Sequence, residues 1–264
     1  MLFNDQVVWI TGASSGIGQE MARQLAVPGA RLLLTARDEA RLQDVAANCR
    51  QRGAEAIVLA ADLFQADARV RVAEAAVAAC GRVDVVIHSA GISQRSFTEG
   101  TDPEVERRIM ELDFFAPTAI THKLFPQFRK QGGGMVVAIG SVAGLMGFPL
   151  RSGYCAAKHA LHGWFEALQV EHDIPGFHVL IVHPGRIRTG ISKNALTATG
   201  VAHGIMDPGQ KNGMPVEQCV RRIIRAMERK EHQVLIGGKE RMLLWVWWFI
   251  PGLYRKLAGR LGGK

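Results

Sequence analysis

The chain has 264 residues, enough for one large α/β domain that buries most of its unfolded surface without staples. Its 48% hydrophobic and 21% charged content is that of a globular protein, and Cys49, Cys80, Cys155 and Cys219 are too widely spaced for a Cys-x-x-Cys metal site or a disulfide framework. The formal net charge of +8 is open to an acidic partner such as nucleic acid or a membrane surface, or to a solvated basic surface that attracts a phosphorylated cofactor. The first 230 residues hold no basic stripe interleaved with aromatics, which argues against nucleic acid. No uninterrupted apolar run reaches the ~20 residues that span a bilayer, and Met1–Ile10 has no basic leader, so a cytoplasmic chain is expected.

In chain order, Gln6–Ile10 is a short apolar strand that stops at Thr11-Gly12. Gly16 to Val27 carries Ile17, Met21 and Leu25 at helical spacing and ends at Pro28-Gly29. Arg31–Thr35 is a second strand, and Asp38 reads as the N-cap of a helix containing Arg41 and Leu42. Ala56–Ala60 is a third strand, Val70–Ala79 lies in an alanine-rich helix, and Val83–His88 is a fourth strand. Asp102-Pro103 opens a long helical stretch, in which Pro117 and Pro126 are expected to make kinks or breaks before Gly132–Gly134 ends it. Met135–Ile139 is a fifth strand, Ser152 to about Asp173 a helix, and His178–Val182 a sixth strand. This alternation implies parallel strands joined by crossover helices, and the continuous apolar runs imply a sheet covered on both faces. The expected fold class is therefore α/β, a single-domain Rossmann-type doubly wound parallel sheet over residues 1–238, with 239–264 as an extension.

Two local patterns carry chemistry. The first strand runs into Thr11-Gly12-Ala13-Ser14-Ser15-Gly16-Ile17-Gly18. There the glycines permit a tight turn and close backbone approach to a pyrophosphate, and the following helix offers free N–H groups and the positive end of its dipole. Tyr154 and Lys158 stand four positions apart on a helix and so share one face. A free tyrosine has a pKa of about 10, and a neighbouring ammonium favours the phenolate, which makes the pair a proton donor and acceptor for carbonyl or alcohol oxygen.

Together, Thr-Gly-x-x-x-Gly-x-Gly near the N-terminus and the later Tyr-x-x-x-Lys resemble the short-chain dehydrogenase/reductase family, over about residues 5–235. The resemblance implies a hydride transfer between nicotinamide and a ketone, aldehyde or secondary alcohol, with Tyr154 as acid/base and Lys158 also holding the nicotinamide ribose. Ser141 stands thirteen residues before Tyr154, the family's spacing, and is expected to bind the substrate oxygen. The family's fourth position, normally Asn, is Asp113 here; it is expected either to preserve the relay from Lys158 to solvent or to pair with Lys158 and weaken its effect on Tyr154. Asp62-Leu63 matches the adenine-contacting pair, and Ser89-Ala90-Gly91 the turn after the fourth strand, with His88 and Ser89 in place of two asparagines. Pro184-Gly185, Ile187 and Thr189 match the nicotinamide-contacting segment. Ala36 occupies the place of the NAD-selective aspartate and Arg37 follows it, which favours NADP over NAD because a guanidinium binds a 2′-phosphate.

The glycine- and alanine-rich stretch Gly190–Met214 reads as a mobile lid, and Met146, Phe148 and Leu150 as apolar pocket residues for a lipophilic substrate. Residues 242–250 are apolar and aromatic and are flanked by Arg241, Arg255, Lys256, Arg260 and Lys264. They are too short to span a membrane and are expected to pack on the same domain or on a partner subunit of a homodimer or homotetramer, with peripheral membrane contact as the alternative. No metal site is expected. A catalytically weak NADP-binding sensor or scaffold is the alternative function, left open by Asp113.

Overall fold

A computed structural model describes residues 5–238 and 240–261, without the side chains of 241 and 259–261. Lys264 therefore lies outside the described residues, as do the side chains of Arg241 and Arg260. Strands β1 (Val7–Thr11), β2 (Arg31–Thr35), β3 (Glu55–Val58), β4 (Val85–His88), β5 (Gly134–Ile139) and β6 (Phe177–Pro184) alternate with helices α1 (Gly16–Leu25), α2 (Glu39–Gln51), α3 (Ala66–Cys80), α4 (Pro103–Met110), α5 (Ala116–Gln131) and α6 (Ser152–Glu171). A short parallel pair, β7 (Ile187–Arg188) with β8 (Met214–Pro215), frames the single-turn helix α7 (Pro208–Lys211). Then come α8 (Val216–Glu228), the edge strand β9 (Gln233–Ile236), α9 (Glu240–Phe249) and α10 (Pro251–Leu261).

The main sheet has seven parallel strands in the order β3-β2-β1-β4-β5-β6-β9. Chain direction along the sheet reverses between β1 and β4, the switch point at which doubly wound sheets open a ligand crevice. β1 shows why both faces are dry. Val8 and Ile10 pack into the layer holding Met21, Leu42 and Ile223, while Val7 and Trp9 pack into the opposite layer with Ile120, Phe128 and Phe165. Successive strand residues point to opposite faces, so a continuous apolar strand feeds two cores.

Two local readings change. The long central helix is interrupted neither at Pro117 nor at Pro126; Pro117 sits in the first turn of α5 and Pro126 lies within it. The interruption is a π-helical turn, Glu111–Phe115, between α4 and α5. In addition, β9 and α8 extend the sheet beyond the sixth strand, with Val220, Ile223 and Met227 of α8 fully buried. No helix among the described residues is long and apolar enough to cross a membrane.

Candidate active site

The carboxyl ends of β1, β4, β5 and β6 open into one cavity of about 1120 Å³. Gly12, Ser14, Ser15, Gly16 and Ile17 line one part of it. Gly12 has φ +69°, and a Cβ there would sit 2.6 Å from the Ala90 nitrogen, so only glycine lets these two turns touch. The N-terminus of α1 is open: Ser15 makes no side-chain cap hydrogen bond, and the first turn has no acidic residue. Backbone N–H groups and a positive helix end at a glycine cradle suit a pyrophosphate. Gly18 differs from its expected contact role. It is buried outside the cavity lining, and a Cβ there would come within 2.4 Å of the Gly12 carbonyl oxygen, so its part is close packing of helix on loop.

Thr11, which the motif reading passed over, ties the cradle to the neighbouring strand. Its Oγ1 accepts from the Ser89 and Ala90 N–H groups at 3.2 and 3.3 Å. Ser89, Ala90 and Gly91 thereby line the cavity beside Gly12. At the far end lie Ala36, Arg37, Asp38, Asp62 and Leu63. Asp38 is committed to α2: its carboxylate accepts from the Arg41 N–H at 3.1 Å and pairs with the Arg41 guanidinium at 3.1 Å. Arg37 is exposed and stands 5.3 Å over the Phe64 ring, making no ion pair among the described residues.

Ser141, Tyr154 and Lys158 line the same cavity, together with Asp113, Pro184, Gly185, Ile187 and Thr189. Tyr154, Lys158 and Asp113 are all buried. The Lys158 ammonium lies 5.8 Å from the centre of the Tyr154 ring, donates to the Ile139 carbonyl at 3.0 Å, and pairs with Asp113 Oδ2 at 3.1 Å. Asp113 Oδ1 accepts from the Ile92 N–H at 2.8 Å. The π-helical turn delivers this carboxylate, and Gly91 makes room for it, since a Cβ at 91 would lie 3.0 Å from Oδ2. Of the two expected roles for Asp113, the geometry therefore shows pairing with Lys158.

Burial pushes the Tyr154 pKa above its ordinary value; Lys158 opposes this, Asp113 adds to it, and Ser141 and Arg151 favour the phenolate. Burial disfavours the Lys158 ammonium, but the nearby Asp113 and Tyr154 outweigh it and keep the lysine protonated. His88, fully buried, is held neutral with its pKa pushed down to about 3. Its Nε2 meets Thr121 Oγ1 at 2.9 Å, a structural hydrogen bond behind the cavity.

The substrate side is built from residues that motif reading missed. Gln94 is fully buried, and its Oε1 accepts from the Gly153 and Tyr154 N–H groups at 2.7 and 3.3 Å, satisfying the start of α6. The nearby backbone of Ser93 and Arg95 brackets Leu196 of the lid, which donates to the Ser93 carbonyl at 2.8 Å and accepts from the Arg95 N–H at 2.7 Å. The segment Gly190–Met214 is thus anchored by backbone hydrogen bonds as well as by α7. Of the three expected apolar pocket residues, Phe148 lines the cavity and Met146 and Leu150 do not. Met146 is turned into a separate cluster with Leu244, Tyr254 and Ala258 of the C-terminal helices. The only sequence signal for Gln94 and Arg95 is the polar run Ser93–Ser96 directly after the fourth-strand turn.

Residues 6–199 match the family model described as short chain dehydrogenase. Dehydrogenase/reductase SDR family member 7B of Danio rerio is 36% identical over 89% of this chain and 78% of its own length. Dehydrogenase/reductase SDR family member 7 of Homo sapiens is 33% identical over 98% and 78%. Among solved structures, a short-chain dehydrogenase from Sphingobium yanoikuyae in complex with NADPH superposes with TM-score 0.77 at 29% identity, covering 96% of this chain and 94% of that one. A short chain dehydrogenase/reductase from Burkholderia phymatum in complex with NAD shares the fold, with TM-score 0.83 at 21% identity and 96% of each chain covered.

Proposed function

The chain belongs to the short-chain dehydrogenase family of oxidoreductases, and on that premise we propose that it is an NADP(H)-dependent enzyme that interconverts a ketone or aldehyde and the corresponding alcohol, with Tyr154 as acid/base. The observation that carries this reading is the placement of Ser141, Tyr154 and Lys158 in one cavity with a glycine cradle and an open helix N-terminus. When bound, a nicotinamide dinucleotide supplies the hydride for the carbonyl carbon or takes it from the alcohol carbon. In reduction the Tyr154 hydroxyl gives its proton to the substrate oxygen; in oxidation the phenolate takes it back. Ser141 hydrogen-bonds that oxygen, and Lys158, kept charged by Asp113, offsets the phenolate. Gly12 and Ser14–Ile17 hold the pyrophosphate, Asp62 and Leu63 border the adenine, Lys158 holds the ribose, and Ser89–Gly91, Pro184, Gly185, Ile187 and Thr189 enclose the nicotinamide end. Arg37 binds the 2′-phosphate, because Asp38 is already occupied as the α2 cap.

Two variants test this. Tyr154→Phe is expected to lose at least about a hundredfold in turnover across a carbonyl panel, the scale of a lost general acid; substantial remaining activity refutes the mechanism. Arg37→Ala is expected to raise the dissociation constant of NADPH about tenfold or more and to leave that of NADH in place, as loss of one charge-assisted contact requires. Equal affinities for both dinucleotides in wild type and variant refute the NADP assignment.

Met242, Trp245, Trp248, Phe249, Ile250 and Leu253 form an exposed apolar row on α9 and the turn into α10. We read it as a surface between copies of the chain, because clustered tryptophans on a soluble protein mark association sites. Light scattering of the full chain should show an oligomer that Trp245→Ser with Trp248→Ser reduces to a monomer. A monomeric wild type whose co-sedimentation with anionic liposomes depends on the same tryptophans would replace this reading with membrane contact.

A further inference from the structure

Arg95 and Arg151, 56 residues apart and both ahead of Tyr154 in the chain, line the same cavity. Arg95 follows the turn after β4, and Arg151 immediately precedes α6, three residues before Tyr154. Both converge on Asp207 of the lid. Arg151 Nη2 donates to Asp207 Oδ2 at 2.8 Å, and Arg95 Nη2 stands 3.3 Å from Oδ1. The side chains of Arg95, Arg151 and Asp207 are 24%, 25% and 12% exposed. Two largely desolvated guanidiniums therefore share one carboxylate, which leaves a unit positive charge without its counter-ion.

The other carboxylates lining the cavity are engaged elsewhere. Asp38 pairs with Arg41, Asp113 with Lys158, and Glu240 with Arg186, while Asp62 accepts from the Phe64 N–H. Asp207 is fixed in place, since its N–H donates to Ser192 Oγ and its carbonyl accepts from Gln210 and Lys211 N–H at the start of α7. Among the described residues, Arg151 has no side-chain hydrogen bond besides the one to Asp207, and Arg95 has none. Each guanidinium carries five N–H donors, so most of them are left for a ligand. Burial and the neighbouring Arg95 depress the Arg151 pKa, as under-compensated cations require. The phosphates of a dinucleotide are already provided for at the glycine cradle and at Arg37.

We propose that Arg95 and Arg151 form an anion-recognition subsite, and that the substrate is a carbonyl compound, or its alcohol, carrying a carboxylate beside an apolar body. The carboxylate bridges the two guanidiniums, the body lies against Phe148, and the carbonyl oxygen reaches Ser141 and Tyr154. This rests on the oxidoreductase reading above and narrows its substrate. It also gives the lid a purpose: Asp207 holds both arginines while the subsite is open, and a second carboxylate completes the charge balance when substrate enters.

The test compares benzoylformate, benzoylacetate and β-benzoylpropionate, each against its methyl ester, in the NADPH-loaded full chain. These probes vary the distance from carbonyl to carboxylate at constant aromatic bulk. At least one acid is expected to exceed its ester about tenfold or more in kcat/KM, mainly through KM, as a charge-assisted pair in a partly buried site implies. In Arg95→Gln that acid-over-ester ratio is expected to fall toward one. Wild type that treats acids and esters alike, or a variant that keeps the ratio, shows the Arg–Asp–Arg group to be a lid clip only. Calorimetric binding of the same acids and esters to the NADPH complex gives a readout independent of turnover. Acids that bind no tighter than esters overturn the subsite even if ketones are reduced. Tight acid binding lost in Arg95→Gln, with no turnover of any compound, upholds the subsite and refutes the oxidoreductase reading instead.

Discussion

Asp113 shows how one carboxylate changes the chemistry of a tyrosine it does not touch through a hydrogen bond. It sits beside Lys158 and contributes to raising the Tyr154 pKa, opposing the lysine. Asp113→Asn removes that negative charge while leaving an oxygen for the Ile92 N–H, so the Tyr154 pKa is expected to fall. Alcohol oxidation, which needs the phenolate, then begins its rise at lower pH; carbonyl reduction, which needs the protonated phenol, begins its decline at lower pH. Profiles of kcat/KM against pH in both directions check this, and an unchanged or upward shift refutes the electrostatic role. Tyr154 and Lys158 were legible because helical spacing puts them on one face, whereas Ser141, a common strand-end serine by itself, was implied only by the family's spacing to Tyr154. Which of its two expected roles Asp113 takes was not legible, because the choice of pairing with Lys158 depends on how two separate helical segments pack, which spacing within either one does not encode. The same limit hid Gly18, whose part in packing emerges only from the approach of the Gly12 carbonyl.

At the scale of elements, the start of α6 is the joint between fold and chemistry. Arg151 at its N-cap position contributes no side-chain cap, and Gln94 takes over from a distant loop by accepting the Gly153 and Tyr154 N–H groups. Its Nε2 also donates to Ser96, Thr101 and Ser152 at 3.1, 3.2 and 3.3 Å. Gln94→Leu leaves the buried Gly153 and Tyr154 N–H groups without their acceptor and is expected to cost about 1–3 kcal/mol in urea denaturation. It should also lower kcat more than it changes NADPH affinity, because Tyr154 loses its anchor while the phosphate cradle stays intact. Equal loss of both would mark Gln94 as structural only. The six strands that alternate with helices were legible from continuous apolar runs. β9 and α8 were not, because both lie behind a lid whose Gly, Ala and Thr content masks where periodicity resumes. The proline signals in the central helix pointed to breaks that the fold absorbs, while the π-helical turn that does interrupt it carries no residue type that marks it.

For the whole molecule, two of the buried histidines, His88 and His183, couple stability to the same strand ends that form the site. His88 Nε2 bonds Thr121, whose own hydroxyl donates to the Pro117 carbonyl, so Nε2 carries the proton; Nδ1 is buried without a partner. His183 Nδ1 meets the Ser141 carbonyl at 3.2 Å and Nε2 accepts from the Gln233 amide at 2.8 Å, which joins β9 to the strand end that carries Ser141. A second proton on either ring has no acceptor. Burial accordingly lowers their pKa values from the ordinary 6.5, to about 3 for His88 and about 4 for His183. The folded chain thus binds fewer protons than the unfolded one below pH 6.5. Stability is full above that pH and is lost as pH falls toward the folded-state values, at about 1.4 kcal/mol per pH unit for each histidine. From pH 7 to pH 5 this amounts to roughly 2 kcal/mol per histidine, read as a falling urea midpoint. His88→Asn removes one titrating group and should make the decline shallower by about its share. An acid slope identical to wild type would show that His88 is already relieved of its burial in the folded chain, and with it that the back wall of the cavity is looser than its packing against Phe165 and Thr121 implies.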